Sequence, residues 1–178
     1  MKARDALKRA TRDVHDRIDA ILSSYRLDDA ADYRRFLTAQ AAAFLPVERA
    51  LTAAGAGDLV PGWISTLRGS LLIADLDALG ARTPREVVPP AYDNEAALLG
   101  GIYVLEGSRM GAAVLSRQVP AHLPRRFLAI RSPPGHWAAI LGTLERKLTS
   151  SVELNIATAA AQHTFACFES SGGIDQIS

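Results

Sequence analysis

The chain has 178 residues, 48% of them hydrophobic and 22% charged, with a formal net charge of +1. That length suits one domain over 1–178 with a core from about 6 to 170, and the charge balance excludes a dedicated nucleic-acid binder, whose domain carries a large basic excess. The single cysteine, Cys167, excludes an intramolecular disulfide.

The N-terminal MKARDALKRATRDVHD lacks the apolar stretch of a secretory signal, and the longest apolar run, Ala96–Leu105, is about half a membrane span and closes on Glu106. These features read as a cytoplasmic chain without a membrane segment. Between Ala6 and Leu22, the residues Leu7, Ala10, Val14, Ile18, Ile21 and Leu22 recur at three- and four-residue spacing, which predicts one helix with a buried face. A second pattern starts near the cap candidate Asp32 and runs through Phe36, Leu37, Ala41, Phe44, Leu45 and Leu51 to Ala54-Gly55, with Pro46 expected to kink or split it. Gly62 to Leu79 predicts a third helix, stopped at Gly80, and residues 81–91 with Pro84, Pro89 and Pro90 predict a loop. Asp93 or Asn94 caps a long helix that reaches about Gln118, before Pro120. After the proline-punctuated stretch Pro120–Gly135, helices are predicted over His136–Leu148 and roughly Ser151–Glu169, with Gly172-Gly173 as a stop. Nothing alternates with the two-residue period of a strand, so the fold class is all-α, six or seven helices in one helical bundle.

The long helix contains GGIYVLEGSRMGAA, in which Gly100, Gly101, Gly107 and Gly111 together cost roughly 4 kcal/mol relative to alanine. Two readings compensate that cost. Small residues at Gly100, Gly107 and Gly111 let another helix approach closely, or bare backbone at Gly107 and Gly111 admits a flat, bulky ligand such as a porphyrin. On the first helix, Lys8, Thr11, His15 and Asp19 share a face beside the apolar stripe. His15 there is either a boundary histidine or a metal ligand, and the surrounding Lys8, Arg9, Arg12 and Arg17 are either a solvated salt-bridged face or a carboxylate-capturing one.

Other clusters are weaker. Glu106, His163 and Glu169 lack the paired Glu-x-x-His pattern of a di-iron site. Cys167, between Phe165, Ala166 and Phe168, reads as a buried and inert thiol.

Taken together, LKRATRDVHDRID, YRRFLTAQAAAFLPVERAL, YVLEGSRMGAAVLSRQV and AQHTFACFESS resemble the heme oxygenase family, in particular its bacterial, bacteriophytochrome-associated branch, over most of the chain from Leu7 to Glu169. The resemblance implies heme sandwiched between a proximal helix bearing the iron ligand, matched by His15, and a distal helix whose close-contact glycines are matched by Gly107 and Gly111. Asp19 matches an acidic residue near the ligand. Lys8 and Arg12, with Arg146 or Lys147 later in the chain, are the implied propionate partners, and Thr11, Tyr103, Arg109 and Ala112 complete the implied heme contacts. The implied reaction opens heme, at once cofactor and substrate, to biliverdin, carbon monoxide and ferrous iron. It consumes O2 and electrons from an external reductant, a donor such as ferredoxin or a flavin reductase, with a bacteriophytochrome as a biliverdin acceptor.

Three positions depart from the family's pattern, the first of them from its animal-type form. Ser108 stands where that pattern has an aspartate, and its hydroxyl holds a water without carrying charge at neutral pH. Ala112 replaces a further glycine. Arg109 fills a position commonly small or polar, and it points to solvent, reaches a propionate or hinders the pocket. A non-catalytic heme-binding or sensing protein of the same fold is the alternative function, and a heme-free helical scaffold the more distant one.

Overall fold

Every apolar stripe of the sequence folds as helix in the structure, a computed structural model that describes residues 2–82 and 84–174. The helices are α1 (Ala3–Ala10), α2 (Arg12–Leu22), α3 (Ala30–Ala53), α4 (Ala56–Leu59), α5 (Gly69–Ala78), α6 (Glu95–Leu115), α7 (Arg126–Ala129), α8 (His136–Lys147) and α9 (Ser151–Ile174), with a 3-10 turn at Trp63–Thr66. No strand occurs among the described residues. The all-α expectation therefore holds.

Four differences from the predicted elements have physical causes. The first helix is two, bent at Thr11, whose buried hydroxyl donates back to the Leu7 carbonyl at 2.8 Å, a bond that competes with the helical ladder. Pro46 does not split α3. Its missing N–H leaves the Ala42 carbonyl without a helical donor, and the Val87 N–H from the α5–α6 connection takes that place at 2.9 Å. The third predicted helix is a 3-10 turn followed by α5, because the buried Glu48 carboxylate accepts the Arg68 and Gly69 N–H groups at 2.7 and 2.9 Å and so starts a new helix there. Gly172 does not stop α9: it packs against α2, where an added Cβ would lie 2.7 Å from the Ile21 side chain. The cap of α6 is Asn94, whose side chain accepts from the Ala97 N–H at 2.9 Å.

Helix α9 is the spine. It makes its most extensive pairing with α6 and also carries α1, α2 and α3. The buried apolar side chains, among them Leu37, Phe44, Leu51, Trp63, Leu99, Ile102 and Leu105, form one continuous cluster. By length and composition α6 is apolar enough to cross a bilayer, but half of it is buried in this bundle, where its apolar side chains serve the core.

The first two glycines of α6 are explained by packing. A Cβ on Gly100 would sit 2.1 Å from the Ala157 carbonyl oxygen of α9, and one on Gly101 would meet the side chains of Tyr92 and Leu51 at about 2.5 Å. At Gly111 the same Cβ meets nothing within 4 Å. We expect Gly100→Ala to destabilise the protein by about 2–3 kcal/mol through overpacking. Gly111→Ala should instead stabilise the ligand-free protein by up to about 1 kcal/mol. Urea denaturation of the two variants checks both signs.

Candidate functional site

His15 lies on the outward side of α2 with 56% of its side chain accessible. Its Nδ1 is 3.2 Å from the Asp19 carboxylate one turn on, and its ring meets the edge of Phe165 from α9 with centroids 6.0 Å apart. A carboxylate beside Nδ1 favours the proton there and leaves the lone pair on Nε2, the state that ligates iron. Helix α2 is tied to α9 by the Arg17–Glu169 ion pair, 2.5 Å between Nε and Oε1, and α1 is tied to it by the Gln162 amide, which donates to the Ala10 carbonyl at 2.8 Å. The hydrogen bond from Arg17 holds the Glu169 carboxyl below its ordinary range.

On α6, Tyr103, Gly107 and Gly111 follow one another at four-residue spacing. Burial raises the pKa of the Tyr103 phenol. Its ring lies against Trp137 of α8, centroids 5.8 Å apart, and the Trp137 edge would be 3.5 Å from a Cβ at Gly107. Helices α2 and α6 both rest on α9 without packing extensively on each other. A Cβ at Gly107 or Gly111 would make at most ordinary contact, so helix packing requires neither glycine. Two surface crevices of about 300 Å³ lie elsewhere, one between the 3-10 turn and α8 and one beside Arg34 and Arg82.

The opposite side of the same stretch of α6 is charged and buried. Arg109 donates through Nε to Glu106 Oε2 at 2.6 Å and through Nη2 to Glu106 Oε1 and the Thr66 carbonyl, while His136 Nε2 lies 2.8 Å from Glu106 Oε2. Arg68, 1% exposed, holds its guanidinium over the rings of Phe44 and Phe127, 4.7 and 5.2 Å from their centroids. Its Nη2 donates to the Leu105 carbonyl at 2.9 Å and to the Ser108 hydroxyl at 2.8 Å. Burial pushes this guanidinium down to about 9, with the like charge of Arg109 adding to the effect, so it is protonated at neutral pH.

The decisive comparison is with the heme oxygenase of Xanthomonas campestris pv. campestris (strain 8004), 34% identical over 130 residues that cover 65% of this chain and 78% of that protein. The chain belongs to the heme oxygenase family. No family model matches it. Its fold is similar to that of the heme oxygenase from Neisseria meningitidis, solved with NO and CO bound, at a TM-score of 0.80 and 23% identity over 97% of this chain and 93% of that one.

In this heme oxygenase the residues expected at heme separate by exposure. Lys8, Arg12, His15, Ser108, Gly111 and Arg146 are exposed, and Arg146 donates to the Thr143 hydroxyl at 2.9 Å. Lys147 pairs with Glu95. Three expectations are corrected. Arg109 does not reach solvent, a propionate or the glycine face, because Glu106 and Thr66 occupy its guanidinium on the buried side of α6. Ala112 turns its methyl into the core, and Thr11 is buried with its hydroxyl committed to the Leu7 carbonyl rather than free. Cys167 is buried with its thiol pushed up by burial, as an inert thiol should be. Sequence reasoning missed Arg68, His136 and Trp137, which belong to no quoted motif, and Glu48, which lies within one but carried no role there; all four come near α6 only through the fold.

Replacing Arg109 with Met leaves Glu106 buried without its cation, and we expect a loss of about 3–5 kcal/mol by urea denaturation. Hemin affinity of the folded remainder should fall less than in Arg12→Ala; a larger fall would return Arg109 to the heme site. The Glu169 pair gives a pH signature. Because its folded pKa is depressed, its stabilisation is present at neutral pH and is lost as pH falls through that depressed value. The melting temperature of the wild type should therefore exceed that of Glu169→Gln at pH 7 and converge with it in acid.

Proposed function

We propose that heme binds between α2 and α6, with His15 as the iron ligand, and is opened to biliverdin, carbon monoxide and ferrous iron as one heme oxygenase-like domain over 1–178. The observation that carries this reading is the pairing of an exposed histidine, its Nδ1 beside a carboxylate, with a helix whose Gly111 backbone faces open space. Bound heme supplies the iron at which O2 and externally delivered electrons react. The chain supplies position. Asp19 and the Phe165 edge fix the imidazole plane, and Lys8 and Arg12, exposed cations on the turns before His15, suit the two propionates. Gly107 and Gly111 admit the flat face that a Cβ would hold off, and Ser108 holds water on that side.

The quoted motifs support the bacteriophytochrome-associated branch, with a ferredoxin or flavin reductase as reductant. One cysteine, kept as a buried thiol, supports a cytoplasmic setting.

Hemin titration tests the reading. Wild type should give a stoichiometric complex with a Soret band that decays to biliverdin absorbance on adding ascorbate in air. His15→Ala should lose the ligated spectrum, and Asp19→Asn should bind about tenfold more weakly. A stable complex that never converts would make this a heme-binding or sensing protein, and no saturable binding would end the heme reading.

A further inference from the structure

The Ser108 hydroxyl sits in a closed triangle. Arg68 Nη2 has two hydrogens, and it spends one on the Leu105 carbonyl at 2.9 Å and one on Ser108 Oγ at 2.8 Å. A guanidinium accepts nothing, so Ser108 cannot donate to it. The Ser108 proton goes instead to the Leu105 carbonyl, 2.6 Å away. Every donor and acceptor direction in the triangle is thereby fixed.

Arg68 has little freedom to leave. Two phenyl faces enclose its guanidinium, its Nε is buried without a partner, and its own N–H begins α5 on the Glu48 carboxylate. A buried arginine with an orphaned Nε is a poor stabilising device, because desolvation exceeds what its bonds return. Its place is better explained by what it does to Ser108.

We propose that Arg68 is a positioning residue that turns Ser108 into an obligate hydrogen-bond acceptor toward the heme-facing side of α6. With its proton committed to Leu105, the hydroxyl offers outward only a lone pair. A water bound there must donate one hydrogen to Ser108, and it keeps the other for whatever lies over the glycine face. The serine thus has the hydrogen-bond polarity of a carboxylate without the charge. This inference rests on the heme oxygenase reading.

The test compares hemin conversion under ascorbate in wild type, Ser108→Ala, Ser108→Asp, Arg68→Met and Arg68→Met/Ser108→Asp. Arg68→Met, which frees the hydroxyl to turn, should slow conversion about tenfold, as should Ser108→Ala. Ser108→Asp should convert faster than Ser108→Ala, and in the Arg68→Met background it should restore most of the lost rate, because a carboxylate has no proton to misdirect. A merely structural Arg68 is not rescued by aspartate, so absence of rescue overturns the proposal. Should Arg68→Met not fold, the two Ser108 variants decide: Ser108→Asp no better than Ser108→Ala refutes an acceptor role. In the hemin-free protein, the Ser108 hydroxyl hydrogen should give a protected NMR resonance; rapid exchange with water would also refute it. A wild type that binds hemin without converting it sinks the oxygenase reading itself and this inference with it, whereas a converting wild type with equal rates across the series sinks only the inference.

Discussion

The arrangement of the site depends on one contact without a side chain, the approach of Gly100 to the Ala157 carbonyl. Helices α6 and α9 touch backbone to backbone there, with no room for even a methyl group. That contact makes α9 a common support. With α6 seated on it at Gly100, and α2 seated on it through Phe165 and Glu169, the iron-ligand candidate and the glycine stretch are referred to the same rigid element. They are not referred to each other. Under the proposed function, direct packing of α2 on α6 would close the space assigned to a flat substrate.

The two sides of α6 follow opposite rules. On one side it offers two glycines and a hydroxyl; behind, the turn from Leu105 to Arg109 is gripped by Arg68, Glu106, His136 and the Thr66 carbonyl. Buried ion pairs contribute little net stability when set against apolar replacements, but they have only one satisfactory geometry. A helix segment weakened by glycine needs such a fixed backing if its open face is to keep a constant shape. Precision is supplied from one side so that the other can remain bare.

The sequence was most legible where one residue type has one physical use. The helical stripes, a cap at Asp93 or Asn94, and His15 with Asp19 one turn on all follow from local rules. The glycines do not share one explanation: packing requires Gly100, and it does not require Gly111. What remained illegible was long-range polar pairing. Arg109 looks like a surface cation in any window of its own helix, and only Thr66 and His136, distant in sequence, reveal that it is buried. Likewise, the break before α5 is written at Glu48 on another helix, and the tolerance of Pro46 at Val87.

Pro46 carries a last consequence, for chain entropy. The carbonyl it strands at Ala42 is a docking point that exists only because a donor is missing, and Val87 lands on it near the middle of the connection between α5 and α6. The Arg49–Glu86 pair, 2.5 Å at its shorter contact, secures the adjacent residue. One long closure thus becomes two short ones. Since closure cost rises only logarithmically with length, the saving lies less in the ends than in the path, which is held against α3 instead of wandering over the surface. A residue that breaks helices elsewhere here tells a distant loop where to lie.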